Sequence, residues 1–150
     1  MEFIPAFSDY EKKVTASFDR QGFMKHIRAT LSKVSPGFCE ISVPYNENLS
    51  QQHGFFHAGV VGTIADNVAG YAAFSLMSEN SSIVTVEYKL NLLAPAKGDL
   101  LIGKGQVLKK GKTLTICRAD IYIESKGVLK LCGASQATLF ELRNSEDKKA

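Results

Sequence analysis

The longest apolar stretch of the chain runs from Ala58 to Met77 and carries one carboxylate, Asp66, near its middle. An acidic side chain at the centre of a membrane span costs about 2.5–3.5 kcal/mol on insertion scales, and no basic cluster flanks either end. A helix that is apolar on all sides is typical of the core of a soluble protein. The pattern therefore predicts a long buried helix that begins near His57.

An amphipathic helix is predicted from Ser8 to about Arg20, because apolar residues recur there at spacings of three and four between charged ones. Ser8 and Glu11 have the spacing of a capping box. Gly22 breaks the pattern, and a shorter helical piece follows around Met24 to Arg28. We expect a helical N-terminal segment over about residues 8–28.

Apolar and polar residues alternate in several further segments bounded by Pro and Gly turns, which predicts strands. The segments are Thr30–Val34, Phe38–Val43, Ser81–Leu93, Leu100–Leu108, Leu114–Ile123 and Val128–Leu142. The later strands follow the long helix consecutively and do not alternate with helices, so the fold class is α+β. A single antiparallel sheet that curls around the helix buries it with few residues.

The strand that follows the long helix shows the clearest alternation. Its pattern predicts two faces, one with Val84, Val86, Tyr88, Leu90 and Leu92 and the other with Thr85, Glu87, Lys89 and Asn91. Thr85 is the first polar residue of its face.

Composition limits the alternatives. The 150 residues, 45% of them hydrophobic, suit a single domain over 1–150 that ends in a charged, solvated tail at 144–150. The net charge of +3 is scattered, so neither a nucleic-acid partner nor a membrane partner is expected. Cys39, Cys117 and Cys132 have neither a disulfide nor a metal-ligand spacing. Without a recognisable signal peptide, we expect a cytoplasmic protein that holds no metal.

Small residues lie three, four or seven positions from Asp66 on the predicted helix: Gly59, Gly62, Ala69, Gly70 and Ala73. Each internal Gly costs about 1 kcal/mol of helix stability relative to Ala, so we expect a thin ligand or another backbone on this face. The first N–H groups of the helix, on Ala58 and Gly59, have no partner within it and can hold a developing oxyanion. One helix then offers an oxyanion site and a carboxylate about two turns further on.

The order His-small-Gly, six residues, then Asp is similar to the HGG-x6-D signature of the hotdog-fold acyl-CoA thioesterases of the phenylacetate-pathway (PaaI-like) family. The resemblance covers roughly residues 37–140 and includes the segments VTVEYKLNLLAPAKGD and VLKKGKTL. Ala58 stands where the family usually has a second Gly, but only its backbone N–H is needed. Gln51, six positions before His57, stands where many relatives have Asn. A Gln at this spacing is similar to the pattern of the related 4-hydroxybenzoyl-CoA thioesterases.

The resemblance implies a hotdog fold, in which a curled antiparallel sheet wraps one long central helix, here with an extra N-terminal helix. It implies hydrolysis of an acyl-CoA, with Asp66 as general base or nucleophile and the Ala58 N–H as the oxyanion donor. Gln51 and His57 would orient the thioester, and Thr85 would position water. No cofactor is implied, since coenzyme A is part of the substrate. Relatives form homodimers, often homotetramers, so self-association is expected.

The substrate would lie in a slot beside Gly59, Asn67 and Gly70. Its phosphates would meet the tightest basic cluster, Lys109, Lys110 and Lys112, with Lys97 and Arg118 as weaker candidates. Turn lysines that only keep a hairpin soluble fit the same pattern, and Asp66 could be a satisfied buried carboxylate. A non-hydrolytic acyl-CoA sensor or scaffold and a hotdog hydratase or dehydratase are the alternative functions. The sequence does not specify the acyl group.

Overall fold

Six antiparallel strands form one sheet in the order β1-β2-β4-β5-β6-β3, and a long helix packs against it. The computed structural model describes residues 3–145 and 147. The helices are α1 (Tyr10–Arg20), α2 (Gly22–His26) and α3 (Ala58–Phe74), with a 3-10 turn at Glu47–Leu49. The strands are β1 (Thr30–Ser35), β2 (Phe38–Pro44), β3 (Ser81–Leu92), β4 (Leu100–Lys110), β5 (Leu114–Ser125) and β6 (Val128–Arg143). The predicted hotdog architecture with an N-terminal helix is confirmed.

The start and the end of α1 differ from the prediction. Asp9 is the N-cap residue, and no side chain caps this end, so the capping box of Ser8 and Glu11 is wrong. The break between the helices lies at Gln21, whose backbone is extended, and Gly22 instead begins α2. The Gln21 side chain is thereby turned towards α3, where it binds Asn67.

Helix α3 is buried on every side except one narrow stripe. The residues of this stripe are Gly59, Thr63, Asp66, Asn67 and Gly70, which follow one another at helical spacings of three and four and are half-buried or exposed. The rest of the helix is almost entirely buried. Among the residues that the structure describes, no helix is long and apolar enough to cross a membrane. We call this row of residues the polar stripe.

Two glycines of β4 let the sheet pack closely on α3, and at Gly105 the contact is with the helix backbone itself. A Cβ atom on Gly105 would lie 2.1 Å from the carbonyl oxygen of Val68, and one on Gly103 would lie 2.4 Å from Ile64 Cγ2. Ala69 and Ala73, predicted on the same face as Asp66, are buried in the core. The small residues predicted on the face of Asp66 therefore divide into two groups: Gly62, Ala69 and Ala73 are buried, and Gly59 and Gly70 belong to the polar stripe.

Strand β3 lies at one edge of the sheet and contains a β-bulge. The register with β6 shifts between Thr85 and Glu87, which leaves Val86 as the extra residue. The predicted uninterrupted alternation is wrong for this reason: Thr85 contacts α3 through Asp66, and three positions later Tyr88 contacts it beside Gly62. Val84 and Val86 stay exposed, at 45% and 59%.

The close approach at Gly105 leads to a test of stability. Gly105→Ala should lower the free energy of unfolding by about 1–3 kcal/mol, because the added methyl group meets backbone atoms that cannot rotate away. Gly70→Ala is the matched control, since a Cβ there meets no atom within 4 Å. Alanine should stabilise that helical position by up to about 1 kcal/mol. Urea unfolding measures both, and equal stabilities of the two variants would contradict the packing described.

Candidate active site

The N-terminus of α3 is capped by the side chain of His57. Its Nδ1 accepts the N–H of Gly59 at 2.8 Å, so a neutral imidazole carries its proton on Nε2. Of the two N–H groups predicted to be free, the one on Gly59 is therefore occupied. Within the described part of the chain, the N–H of Ala58 has no acceptor. The helix tip offers one backbone donor to a ligand, at Ala58.

Gln51 lies beside this donor because the preceding loop folds back on itself. Its backbone N–H donates to Phe55 O at 2.9 Å, and its carbonyl accepts from Gly54, whose φ is +76°. The side-chain oxygen of Gln51 accepts from the N–H of His53, which leaves the amide nitrogen as a donor. Gln51 and Ala58 together line a largely apolar groove of about 470 Å³, with Phe55, Leu93, Pro95 and Cys132 among its other walls. We call it the Ala58 groove.

Asp66 lies on the polar stripe and binds Thr85 of β3. The Thr85 hydroxyl donates to Asp66 Oδ1 at 2.7 Å, and Oδ2 has no partner among the described residues. Both residues line a cleft of about 360 Å³, as do Gly70, Ser17, Gln21 and Tyr71. This is the Asp66 cleft. Because of the bulge at Val86, Thr85 and Tyr88 can both face α3. The contact between Thr85 and Asp66 therefore depends on the bulge, which the predicted regular alternation did not include.

Asn67 is held by the protein itself. Its side-chain oxygen accepts from Gln21 Nε2 at 2.8 Å, and its nitrogen donates to Thr63 O at 3.0 Å. Asp147 also lines the cleft, where its carboxylate binds Arg20 at 2.7 Å. The predicted tail at 144–150 is therefore not wholly solvated; Glu146 and residues 148–150 lie outside the described part.

Several polar residues of the cleft were not predicted from the sequence: Ser17, Arg20, Gln21, Tyr71 and Asp147. Tyr71 lies four positions after Asn67, so the helical period could have placed it near the polar stripe. Gln21 could not be found in this way, because it belongs to the break between α1 and α2 and reaches α3 only through the tertiary fold.

The two groups of predicted site residues are separate within one chain. Gln51 and Ala58 line the Ala58 groove, whereas Asp66 and Thr85 line the Asp66 cleft, and the two cavities share no lining residue. His57 and Asp66 are nine positions apart along the helix, about 13–14 Å at 1.5 Å per residue. One carbonyl carbon cannot contact both groups in a single subunit.

The predicted lysine cluster lies at the other end of α3 from Ala58. Lys110 Nζ donates to the carbonyl of Leu76 at 2.6 Å, just beyond the C-terminus of the helix. Lys109 and Lys112 are exposed. Lys97 and Lys130 instead line a cavity of about 410 Å³ that shares Phe55 and Pro95 with the Ala58 groove. Lys130 was not among the sequence candidates, because it lies on β6 and meets Lys97, in the loop after β3, only through the tertiary fold.

The cysteines do not supply a nucleophile at these sites. All three are buried and free, and burial raises the pKa of Cys117 to about 12 and that of Cys132 to about 11. Cys132 in the Ala58 groove is therefore a neutral thiol at pH 7, and it lies 3.3 Å from the carbonyl oxygen of Ile121. In the described part of the chain no group of three His, Cys, Asp or Glu side chains could hold a metal ion.

Comparisons with known proteins agree with this geometry. The Thioesterase superfamily model matches residues 53–130. A thioesterase family protein from Silicibacter pomeroyi is 42% identical, with a TM-score of 0.88 over 89% of this chain and 98% of that one. Human acyl-coenzyme A thioesterase 13 is 31% identical over 106 residues, which are 68% of this chain and 73% of the human protein. The Escherichia coli PaaI protein shares the fold at 18% identity, with a TM-score of 0.79 over 91% and 95% of the two chains.

The family match covers more than half of the chain, and the relatives extend it over most of the remainder. The resemblance seen in the spacing of His57, Gly59 and Asp66 is confirmed at the level of the family. This chain therefore belongs to the thioesterase superfamily and is a hotdog-fold hydrolase.

Proposed function

We propose that this protein hydrolyses a coenzyme A thioester to the free acid and coenzyme A. The observation that carries the proposal is the Asp66 carboxylate, which one Thr85 hydroxyl orients while its second oxygen faces an open cleft. A thioester carbonyl is already electrophilic, so one carboxylate and a backbone N–H donor suffice to activate it. The likeness to human acyl-coenzyme A thioesterase 13 supports the same substrate class.

Two routes from the thioester to the acid fit this arrangement. In one, Asp66 Oδ2 takes a proton from a water molecule as the water attacks the carbonyl carbon. In the other, Oδ2 attacks the carbonyl itself, and water then hydrolyses the resulting mixed anhydride. In both routes the Ala58 N–H stabilises the oxyanion, and the C–S bond breaks to release the coenzyme A thiolate. The amide nitrogen of Gln51 and Nε2–H of His57 are free to orient the thioester.

The alternative functions are less well supported. A hotdog hydratase pairs a His with an acid across its tunnel, whereas the spacing of His57, Gly59 and Asp66 is similar to that of the thioesterases, and the relatives named above include thioesterases. A protein that only binds acyl-CoA would have no use for a carboxylate oxygen left free beside the cleft.

We propose that two subunits share each active site. The Ala58 groove of one chain would meet the Asp66 cleft of its partner across antiparallel α3 helices. Strand β3 supports this arrangement, because it is a twelve-residue edge strand with exposed Val84, Val86 and Leu92. Such an edge favours pairing with another strand.

The first functional prediction concerns Asp66. Asp66→Asn should keep the fold and lower kcat by at least about a hundredfold, the scale of general-base catalysis. Thiol release from a panel of acyl-CoAs measures the rate, and circular dichroism checks the fold. Thr85→Val should also reduce kcat, whereas Thr85→Ser, which keeps the hydroxyl, should reduce it much less. An Asp66→Asn variant that is as fast as the wild type would exclude Asp66 from the chemistry.

The shared site predicts complementation between inactive variants. Homodimers of His57→Ala and of Asp66→Asn should each be nearly inactive. Equal amounts, refolded together, should recover about a quarter of the wild-type activity, since half of the dimers are mixed and each restores one of two sites. No recovery, with mixed dimers seen by mass spectrometry, would show that both residues act within one chain. His57→Asn, which can still cap α3, separates the orienting role of the ring from capping.

The phosphates of coenzyme A are proposed to bind lysines, and two groups compete for this role. Lys97 and Lys130 adjoin the Ala58 groove, so changing both to Gln should raise KM for CoA esters by about three- to tenfold with little change in kcat. Pantetheine thioesters, which lack the nucleotide phosphates, should not respond. The triple Gln variant of Lys109, Lys110 and Lys112 is the matched comparison. If the triple variant alone shows this substrate-dependent loss, the phosphates bind at the turn.

A further inference from the structure

The Asp66 cleft contains a connected group of uncharged polar side chains beyond the carboxylate. Gln21 Nε2 donates to Asn67 Oδ1 at 2.8 Å and to the Tyr71 hydroxyl at 2.5 Å. The Tyr71 hydroxyl also lies 3.3 Å from Ser17 Oγ. Tyr71 comes five residues after Asp66, about 7–8 Å further along α3. An acyl group that extends from Asp66 towards the C-terminus of α3 would meet these side chains at its far end.

The group has one hydrogen-bond acceptor that is not used within the protein, on a side chain that lines the cleft. Both hydrogens of the Gln21 amide are engaged, which leaves its Oε1 as an acceptor without a partner among the described residues. Burial raises the pKa of Tyr71, so its hydroxyl is neutral at physiological pH. The nearby charges of Arg20 and Asp147 neutralise each other in an ion pair. Among the described residues that line the cleft, no unpaired charge other than that of Asp66 is present to favour a charged acyl end, and an alkyl end would leave Oε1 without a donor.

The size of the cleft limits the acyl group as well. Its volume of about 360 Å³ is a little over twice that of an engineered cavity of about 150 Å³ that binds benzene. Gly70 lies in the wall between Asp66 and Tyr71, and no atom lies within 4 Å of the place where its Cβ would be. Short and medium acyl groups fit this space, whereas long-chain fatty acyl groups exceed it.

We propose that Gln21, held by Asn67 and Tyr71, selects acyl groups of short or medium length whose distal end carries a neutral hydrogen-bond donor such as a hydroxyl. The inference rests on the proposed thioesterase function and adds the substrate class to it. Gln21 is then a specificity-determining residue supplied by the break between α1 and α2. The N-terminal helices thus contribute to substrate choice as well as to the fold.

The test compares two substrates that differ only at the far end, ω-hydroxyhexanoyl-CoA and hexanoyl-CoA. For the wild type, kcat/KM should favour the hydroxylated ester by about three- to tenfold, the value of one neutral hydrogen bond. Gln21→Leu should bring this ratio to one or below it. Gln106→Leu, an exposed glutamine on β4 outside the cleft, is the matched control and should keep the wild-type ratio. A structural role of Gln21 alone would lower both rates equally and would overturn the inference.

A second variant tests where the acyl group lies. Gly70→Val fills the space between Asp66 and Tyr71, so it should lower kcat/KM for hexanoyl-CoA by about tenfold more than for butyryl-CoA. An unchanged hexanoyl to butyryl ratio would place the acyl group elsewhere and overturn the inference.

Failure of the inference and failure of the proposed function can be told apart. Calorimetry with non-hydrolysable thioether analogues of the same two esters measures selection without turnover. If the wild type hydrolyses no ester yet binds the hydroxylated thioether more tightly, with the difference lost in Gln21→Leu, the proposed hydrolysis is wrong and the selection stands. If esters are hydrolysed but neither assay distinguishes the two acyl ends, the selection is wrong and the hydrolysis stands.

Discussion

The fold depends on the direct approach of the sheet to the backbone of α3. Gly103 and Gly105 remove the side chains that would otherwise hold β4 away from Ile64, Val68 and Ala69. A helix of seventeen residues is thereby packed closely against one sheet, and α1 and α2 complete the core around it. Because the apolar sides of α3 are committed to this contact, the polar groups of the helix are confined to the polar stripe. The close packing of the sheet on α3 therefore leaves the polar stripe as the part of the helix that a substrate can reach.

The polar stripe is completed by elements that come from distant parts of the chain. Thr85 reaches Asp66 from the edge strand, and Gln21 reaches Asn67 from the break between the N-terminal helices. The helix tip, in contrast, is organised locally, since His57 binds Gly59 two residues away and the loop around Gln51 closes on itself. The hydrogen bonds of the acid side therefore come from distant elements, whereas those at the helix tip are mostly local. The walls of the Ala58 groove still come from the loop after β3 and from β6.

This division explains what the sequence could predict. The buried helix and the six strands follow from hydrophobic periodicity and turn signals, and all were found. Gln51 and Ala58 were assigned to one site by the family resemblance alone; both line the Ala58 groove, and their roles stay a prediction. The failures involve interactions that periodicity does not contain. The capping box at Ser8 assumed that spacing implies a hydrogen bond, although the cap residue is Asp9. Gly59 was expected to offer its N–H to a ligand, but the neighbouring imidazole accepts it. The role of Gln21 depends on tertiary contacts alone.

The bulge at Val86 decides which side chains of β3 face α3. Side chains in a strand alternate with a period of two, so one residue more or fewer between Thr85 and Tyr88 would turn one of them away from α3. Both contacts require the extra residue. Two relatives with the same residue types in this strand but different bulges would therefore present different side chains to the carboxylate. Comparing such proteins by a gapless alignment of β3 would pair residues that occupy opposite faces of the sheet.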